Sequence, residues 1–333
     1  MAPQSTVWTR RSADIVITEL PRNRRRVRVQ MRDPAAHVPF RECETSYGLG
    51  LIELLLEISG PSWLCDAILR DESPTYVQLD LELGLLSFLD ADEFRGKRIL
   101  DFGCGAGAST AILGRMFPSA SVLGLELEAF RLDVARAVAG HHGLTNVSFA
   151  ASPGPDELPA DLGRFDFVVL SAVLEHLLPP ERGVLLPALW RRLEDQGVLF
   201  VNATPHRWFP LELHTTGLPL LNYVPPPLAR RLALRYSKRA LPADASWQTL
   251  LRRGIRGSTQ GELLRTLRRA GAGDPVPLRP KTGSYADVWY EASMQRRPMA
   301  AKRAVRAAFA AVSRATRSPF TPSLTLAVRK KGS

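Results

Sequence analysis

Residues 99 to 110 read Ile-Leu-Asp-Phe-Gly-Cys-Gly-Ala-Gly-Ala-Ser-Thr: an apolar run closing on Asp101, three alternating glycines, then helix-forming residues. Gly103, Gly105 and Gly107 let the backbone bend sharply and admit a ligand where a Cβ would block it, and the helix that follows offers free N–H groups. Such a bend binds a nucleotide-like ligand. Glu126 stands 23 residues beyond Gly103 at the end of the next apolar run, where a carboxylate accepts the hydrogens of both ribose hydroxyls. Ala108 could fill the third place of a GxGxxA variant, so glycine count alone leaves a dinucleotide open. Asp101 argues against it, because a buried carboxylate aimed at the bend repels a pyrophosphate and welcomes an ammonium group. A ligand with ribose hydroxyls, an amino-acid ammonium and a sulfonium charge satisfies both acids.

A second set of polar residues follows a later apolar run. In Ser171-Ala-Val-Leu-Glu-His-Leu177, Glu175 and His176 are the leading candidates for chemistry, and beyond the next run Thr204-Pro-His-Arg-Trp-Phe-Pro210 and Leu213-His-Thr-Thr-Gly217 supply His206, Arg207, Trp208 and His214. An acceptor pocket needs apolar walls and few polar groups, and this stretch has both. For His206 and His214 a loop-stabilising role weighs about as much as a catalytic one, and for His176 a helix-capping role stands beside that of base or pocket wall.

These residues need a scaffold that brings strand ends together. Short apolar runs at 98–102, 121–126, 146–150, 165–170 and 197–202 alternate with helical stretches around 108–117, 129–141 and 181–193, which predicts a parallel sheet with helices on both faces and ligands at the strands' carboxyl ends. The organisation reads as an N-terminal β-like appendage (1–46), a helical lead-in (47–96), a core (97–204), an acceptor loop with a basic helical insertion (205–282), and last strands with a basic amphipathic helix between them (283–333). Thr259 and Glu262 are spaced as a capping box. Apolar segments 284–291 and 323–328 are expected as the last strands of the sheet.

The glycine-rich motif with Glu126, together with Phe165 to Leu178, resembles the class I S-adenosylmethionine-dependent methyltransferases over roughly residues 97 to 204. The resemblance implies a Rossmann-like, doubly wound, mostly parallel α/β sheet of seven strands, and S-adenosylmethionine as cofactor. Asp101, Gly103, Cys104, Gly105 and Gly107 would line its methionine part, Glu126 its ribose, Leu127 its adenine, with Ser171 nearby. Where the family usually has an acid for the adenine amine, this chain has Ala151-Ser-Pro-Gly154, so Ser152 is the substitute. In some relatives Glu-x-x-Glu-His after the fourth strand binds a divalent ion; here Ser171-Ala172 stands at the first position, one carboxylate is missing, and no metal is expected.

Methyl transfer from a sulfonium is a direct displacement, so few catalytic groups are needed. The stretch TPHRWFPLELHTTGLPL is similar to methyltransferases of bacterial polysaccharide and secondary-metabolite pathways. The leading expectation is therefore an O- or N-methyltransferase acting on a small molecule or a glycan or lipid-linked intermediate. An RNA methyltransferase and a non-catalytic cofactor-binding subunit are the alternatives. Leu170-Ser-Ala-Val173 replaces the Asn/Asp-Pro-Pro-Tyr/Phe motif that base methylation often uses, which weighs against nucleic acid.

Net charge is +11 over 333 residues but unevenly placed: +5 in 1–34, −12 in 35–226, +10 in 227–281, −1 in 282–290 and +9 in 291–333. A basic C-terminal third suits phosphates or an anionic membrane surface as well as it suits a solvated face. On a helix over 302–317, Lys302, Arg303, Arg306, Arg314 and Arg317 share one side, with Val305, Ala308, Phe309 and Val312 opposite; such a helix fits anionic lipid, or packs its Ala-rich stripe on the protein, the favoured arrangement. Cys43, Cys65 and Cys104 form neither a disulfide framework nor a metal cluster. With no apolar leader or membrane-length run, a reducing, cytoplasmic setting is expected.

Overall fold

The computed structural model describes residues 5–332. Its N-terminal sheet contains β1 (Ser5–Thr9), β2 (Ala13–Leu20), β3 (Arg24–Met31) and β4 (Glu42–Thr45), antiparallel in chain order. Strict alternation in β2 turns Ala13, Ile15 and Ile17 inward. On the outer face, Arg26 and Arg28 of β3 pair with Glu44 and Glu42 of β4 at 2.9 and 2.6 Å, the cross-strand equivalent of a helical ion pair. Helices α1 (Leu49–Ser59), α2 (Leu64–Glu72) and α3 (Val77–Leu86) follow.

The main sheet begins with β5 (Arg98–Phe102), and then come α4 (Ala108–Met116), β6 (Ser121–Glu126), α5 (Arg131–His141), β7 (Val147–Ala151), β8 (Phe165–Ser171), α6 (Pro179–Arg192) and β9 (Leu193–Pro205). A two-stranded ribbon of β10 (Leu211–Glu212) and β11 (Leu218–Pro219) leads into α7 (Pro226–Tyr236), α8 (Trp247–Arg252) and α9 (Gln260–Arg268), the last opened by the anticipated Thr259–Glu262 capping box. The chain ends with β12 (Asp274–Pro277), α10 (Tyr285–Arg296), α11 (Lys302–Thr316) and β13 (Ser323–Lys331). Strand order is β12-β13-β9-β8-β5-β6-β7. The five strands from β5 to β9 run parallel, and β13 is antiparallel to both its neighbours.

Successive residues of these strands face opposite ways. Leu100, Phe102, Val168, Leu170, Leu199 and Val201 pack on α6 and α9, while Ile99, Val122, Phe167, Val169, Val198 and Phe200 pack on α3 and α4. Both faces are covered, as the near-continuous apolar runs require.

Two expectations are corrected. Residues 285–296 form helix α10, not a strand: Ser284 caps it, its hydroxyl accepting the Asp287 N–H, a start signal that the apolar density of the segment obscures. The edge strand is instead β12, whose Pro275 and Pro277 are tolerated because an edge strand has one side without a ladder. The N-terminal segment is also no loose appendage. Its inner face shares one core with α1 and α2 and with Ala111, Val134 and Val138 of α4 and α5.

Candidate active site

Asp101 and Phe102 end β5, and the chain then folds back over β6: the N–H groups of Gly103 and Cys104 both donate to the Leu125 carbonyl, at 2.8 and 3.1 Å. Gly107 opens α4. At Gly105 the backbone takes φ +57°, and a Cβ there would meet no protein atom within 4 Å; the missing side chain leaves room for something else. Glu126 is clamped against this bend, with Oε2 accepting the Gly105 N–H at 2.7 Å and Oε1 the Glu128 N–H at 3.2 Å. Two amides fix the carboxylate and leave further lone pairs on each oxygen for hydroxyl donors.

Asp101 is 1% exposed, and its Oδ2 accepts the hydroxyls of Ser109 and Thr110, each at 2.6 Å. Burial pushes its carboxyl up to about 6, partly offset by the two hydroxyls and reinforced by Glu126. Burial likewise raises the Cys104 thiol, and Cys104 also lines the cleft above the bend. Leu127 is half exposed beside Glu126. Ser152 donates its N–H to the Glu126 carbonyl and its hydroxyl to the Glu157 carbonyl, at 2.8 and 2.7 Å, so its backbone is tied to Glu126.

A cleft of about 620 Å³ opens above the bend. Gly103, Gly105 and Ser109 form one wall, Ser171, Ala172 and Ala203 the strand ends, and Tyr76, Arg70 and Trp63 the N-terminal helical side; His214 lies at the rim. Its size suits a nucleoside-bearing ligand with an acceptor beside it. Ala172 and Ala203 both adopt left-handed backbone, φ +55° and +57°, at a cost of about 1–2 kcal/mol each. Asn202 holds them: its carbonyl accepts the Ala172 N–H at 2.9 Å and its Oδ1 the Ala203 N–H at 3.0 Å, while its amide donates to the Asp80 carbonyl. Alanine carries no sequence signal for such a conformation, and neither position was anticipated for it.

Of the four catalytic candidates the fold assembles three. One possible donor atom from each of Glu175, His176 and His214 lies within 4.8 Å of the other two, and the two imidazole rings are 5.4 Å apart. Glu175 is wholly buried; Thr204 donates to its Oε2 at 3.0 Å, while Oε1 has no partner. Burial raises its carboxyl, and the neighbouring His176 opposes that shift. His176 Nδ1 donates to the Arg252 carbonyl at 2.7 Å, which leaves Nε2 as the lone-pair nitrogen, 3.9 Å from Glu175 Oε1. His214 is driven down to about 4, by burial first and then by His176 and Arg239, so its ring is neutral at pH 7.

Glu212 sets the His214 loop. Its buried carboxylate accepts the N–H groups of His214, Thr215 and Thr216 at 2.9, 2.8 and 2.6 Å and the Thr216 hydroxyl at 2.6 Å. Sequence reasoning passed over it, although an acid two residues before His-Thr-Thr is the composition of such a turn. His206 does not join the cluster. It is 5% exposed against Phe320, its Nδ1 accepts the Trp208 N–H, and its own N–H donates to the Pro322 carbonyl; it fastens the loop after β9.

A sheet in this order with one antiparallel penultimate strand, a glycine bend at the end of its first central strand and a carboxylate at the end of the second fits the Rossmann-like methyltransferase fold. Residues 99–197 match a family described as "Methyltransferase domain". Among relatives, trans-aconitate 2-methyltransferase of Deinococcus radiodurans is 38% identical over 104 residues, covering 31% of this chain and 36% of that protein. The protein of the same name from Azoarcus is 31% identical over 159 residues, covering 46% and 54%. An O-methyltransferase family protein from Burkholderia thailandensis has a solved structure similar over 86% of this chain and 67% of that one, at 15% identity and a TM-score of 0.43. The chain spans about half the length, or less, of the curated relatives it matches.

Proposed function

We propose that this protein is an S-adenosylmethionine-dependent methyltransferase that methylates an oxygen or nitrogen of a small molecule or of a glycan or lipid-linked intermediate. The reading rests on the Gly105 bend, open where a side chain would stand, with the Glu126 carboxylate clamped beside it. When bound, S-adenosylmethionine supplies an electrophilic methyl group on a sulfonium. The chain's own residues then bind and align: Glu126 accepts ribose hydroxyls, Asp101 below the bend supplies negative charge for the ammonium, and exposed Leu127 covers the adenine. Ser171 and Ala172 at the end of β8 would border the reacting centre. At the rim, neutral His214 presents a lone pair rather than a charge to the acceptor.

Small-molecule work is also supported by where the basic groups of the C-terminal third point. Arg230, Arg239 and Arg256 donate to backbone carbonyls, and Arg252 pairs with the Glu181 carboxylate. Guanidinium groups committed to internal acceptors do not form a phosphate-binding track. Relatives named as trans-aconitate 2-methyltransferases and an O-methyltransferase of ubiquinone biosynthesis from Neisseria meningitidis agree with a small acceptor.

Calorimetry with S-adenosylmethionine tests the donor half. Glu126→Ala and Asp101→Ala should each weaken binding at least about tenfold, since each removes a charge-assisted contact of ~1.5–3 kcal/mol; unchanged affinity in both defeats the reading. Comparing metabolites of a deletion strain and its parent for mass pairs one methylene apart identifies the acceptor.

A further inference from the structure

We propose that Glu175, His176 and His214 bind one divalent transition-metal ion at the acceptor end of the cleft. Sequence reading disfavoured a metal because a carboxylate is missing ahead of Glu175; His214, folded in from outside that motif, supplies the third donor instead.

Three separate features prepare the donors. Glu175 Oε1 is buried with no hydrogen-bond partner, although Thr204 satisfies the other oxygen of the same carboxylate. A buried acceptor without a donor is costly unless a cation faces it. His176 has its ring held by the Nδ1–H bond to the Arg252 carbonyl, which leaves Nε2, 3.9 Å from that same oxygen, free to bind a metal. Metal-bound imidazoles are held in this way by a bond from the other ring nitrogen. His214 is fixed by the Glu212 turn on one side and by Gly254 on the other: at Gly254, φ +83°, a Cβ would lie 2.5 Å from the His214 ring and 3.1 Å from Glu175 Cγ. Only a residue without a side chain lets the two approach.

Ligands at bonds of ~2.1 Å stand roughly 3–4 Å apart around one ion. The three donors already lie within 4.8 Å of one another, close to that spacing. Two imidazole nitrogens and one carboxylate select zinc, manganese, iron(II) or cobalt over magnesium or calcium, which take oxygen ligands, and leave coordination positions open. Because His214 lines the cleft, an acceptor oxygen can fill one of them, where the ion would lower its pKa; this last step rests on the methyltransferase reading, and the ion site itself does not.

The test uses the full chain, stripped with a chelator and dialysed, titrated with Zn²⁺ by calorimetry and with Co²⁺ by visible absorption. Wild type should bind one Zn²⁺ per chain and develop cobalt d–d bands. Losing a group that only orients a ligand costs ~10–100-fold in affinity, so Glu175→Gln and His214→Ala should lose at least that much, together with the bands. His37→Ala, at an exposed position, should match wild type. Glu175→Gln keeps the side-chain shape, and thermal melting without metal shows that each variant folds. Absence of one-to-one Zn²⁺ binding by wild type, or binding equal in wild type and both variants, overturns the proposal. S-adenosylmethionine binding by the stripped protein is measured in parallel, so failure of the donor reading registers there and leaves the ion titration interpretable.

Discussion

If Asp101 faces the ammonium of the proposed donor, one side chain serves the fold and the ligand with opposite signs. Burial raises its carboxyl to about 6, above the unfolded value of roughly 3.9. Its contribution to stability is therefore fully present below the unfolded value and is lost as pH rises through about 6. Ligand binding runs the other way, because an ammonium group needs the ionised form. Affinity for S-adenosylmethionine should fall as pH drops through about 6, approaching tenfold per pH unit well below it, and Asp101→Asn should bind weakly with a flat profile. Calorimetry between about pH 5 and 8 reads both curves; a wild-type profile as flat as that of Asp101→Asn would leave Asp101 a role in packing alone. At this scale the geometry of the glycine bend was largely legible: Asp101, the glycines and Glu126 are close in sequence, and the structure brings Glu126 onto the Gly105 N–H as their spacing suggests. Glu212, Asn202 and Gly254 were not, because what they hold lies across the fold.

At the scale of elements, strong periodicity read well and weak signals did not. All five parallel strands and the helices between them lie where alternation of apolar runs put them. Segment 285–296 failed the same test because Tyr285, Val288, Trp289 and Tyr290 make it β-like in composition, whereas Ser284 and Asp287 start a helix. Helix α11 turns Phe309 against Trp289 at 4.8 Å and Phe209 at 5.7 Å, and Arg306 pairs with Asp287 of α10, but none of its residues is buried and Val305, Ala308 and Val312 of the apolar stripe stay exposed. The N-terminal sheet is the larger surprise, since it completes the core over α4 and α5. Ile15→Ala, at a side chain with no exposure, should cost about 2–5 kcal/mol in urea denaturation. Val7→Ala on β1, 58% exposed, should stay within about 0.5 kcal/mol. Equal effects would mean that the N-terminal sheet is not part of the cooperative core.

Over the whole molecule, arginines committed to backbone carbonyls and to a carboxylate act as fasteners. Arg182 of α6 donates to the carbonyls of Leu177 and Glu175 on one side and of Arg256 and Gly257 on the other, and thereby ties the insertion carrying α7 to α9 to the loop that bears Glu175 and His176. Arg182→Ala leaves buried carbonyls without donors and should lower stability by more than about 2 kcal/mol. Arg231→Ala, on an exposed position of α7, should be near neutral. Denaturant midpoints compare the two. Among the described residues, no helix is long and apolar enough to cross a membrane.

Local physics was enough for the sequence to determine the alternating strands and helices, the glycine bend and the acid that accompanies it, because backbone sterics, side-chain period and strand-end geometry all act within about 30 residues. Tertiary structure alone decided that the N-terminal sheet joins the core, that β12 rather than 284–291 forms the edge, and that His214 rather than His206 meets Glu175 and His176. Those outcomes depend on contacts between residues distant in the chain, where burial and the pairing of polar groups choose among loop paths that the sequence pattern leaves equivalent.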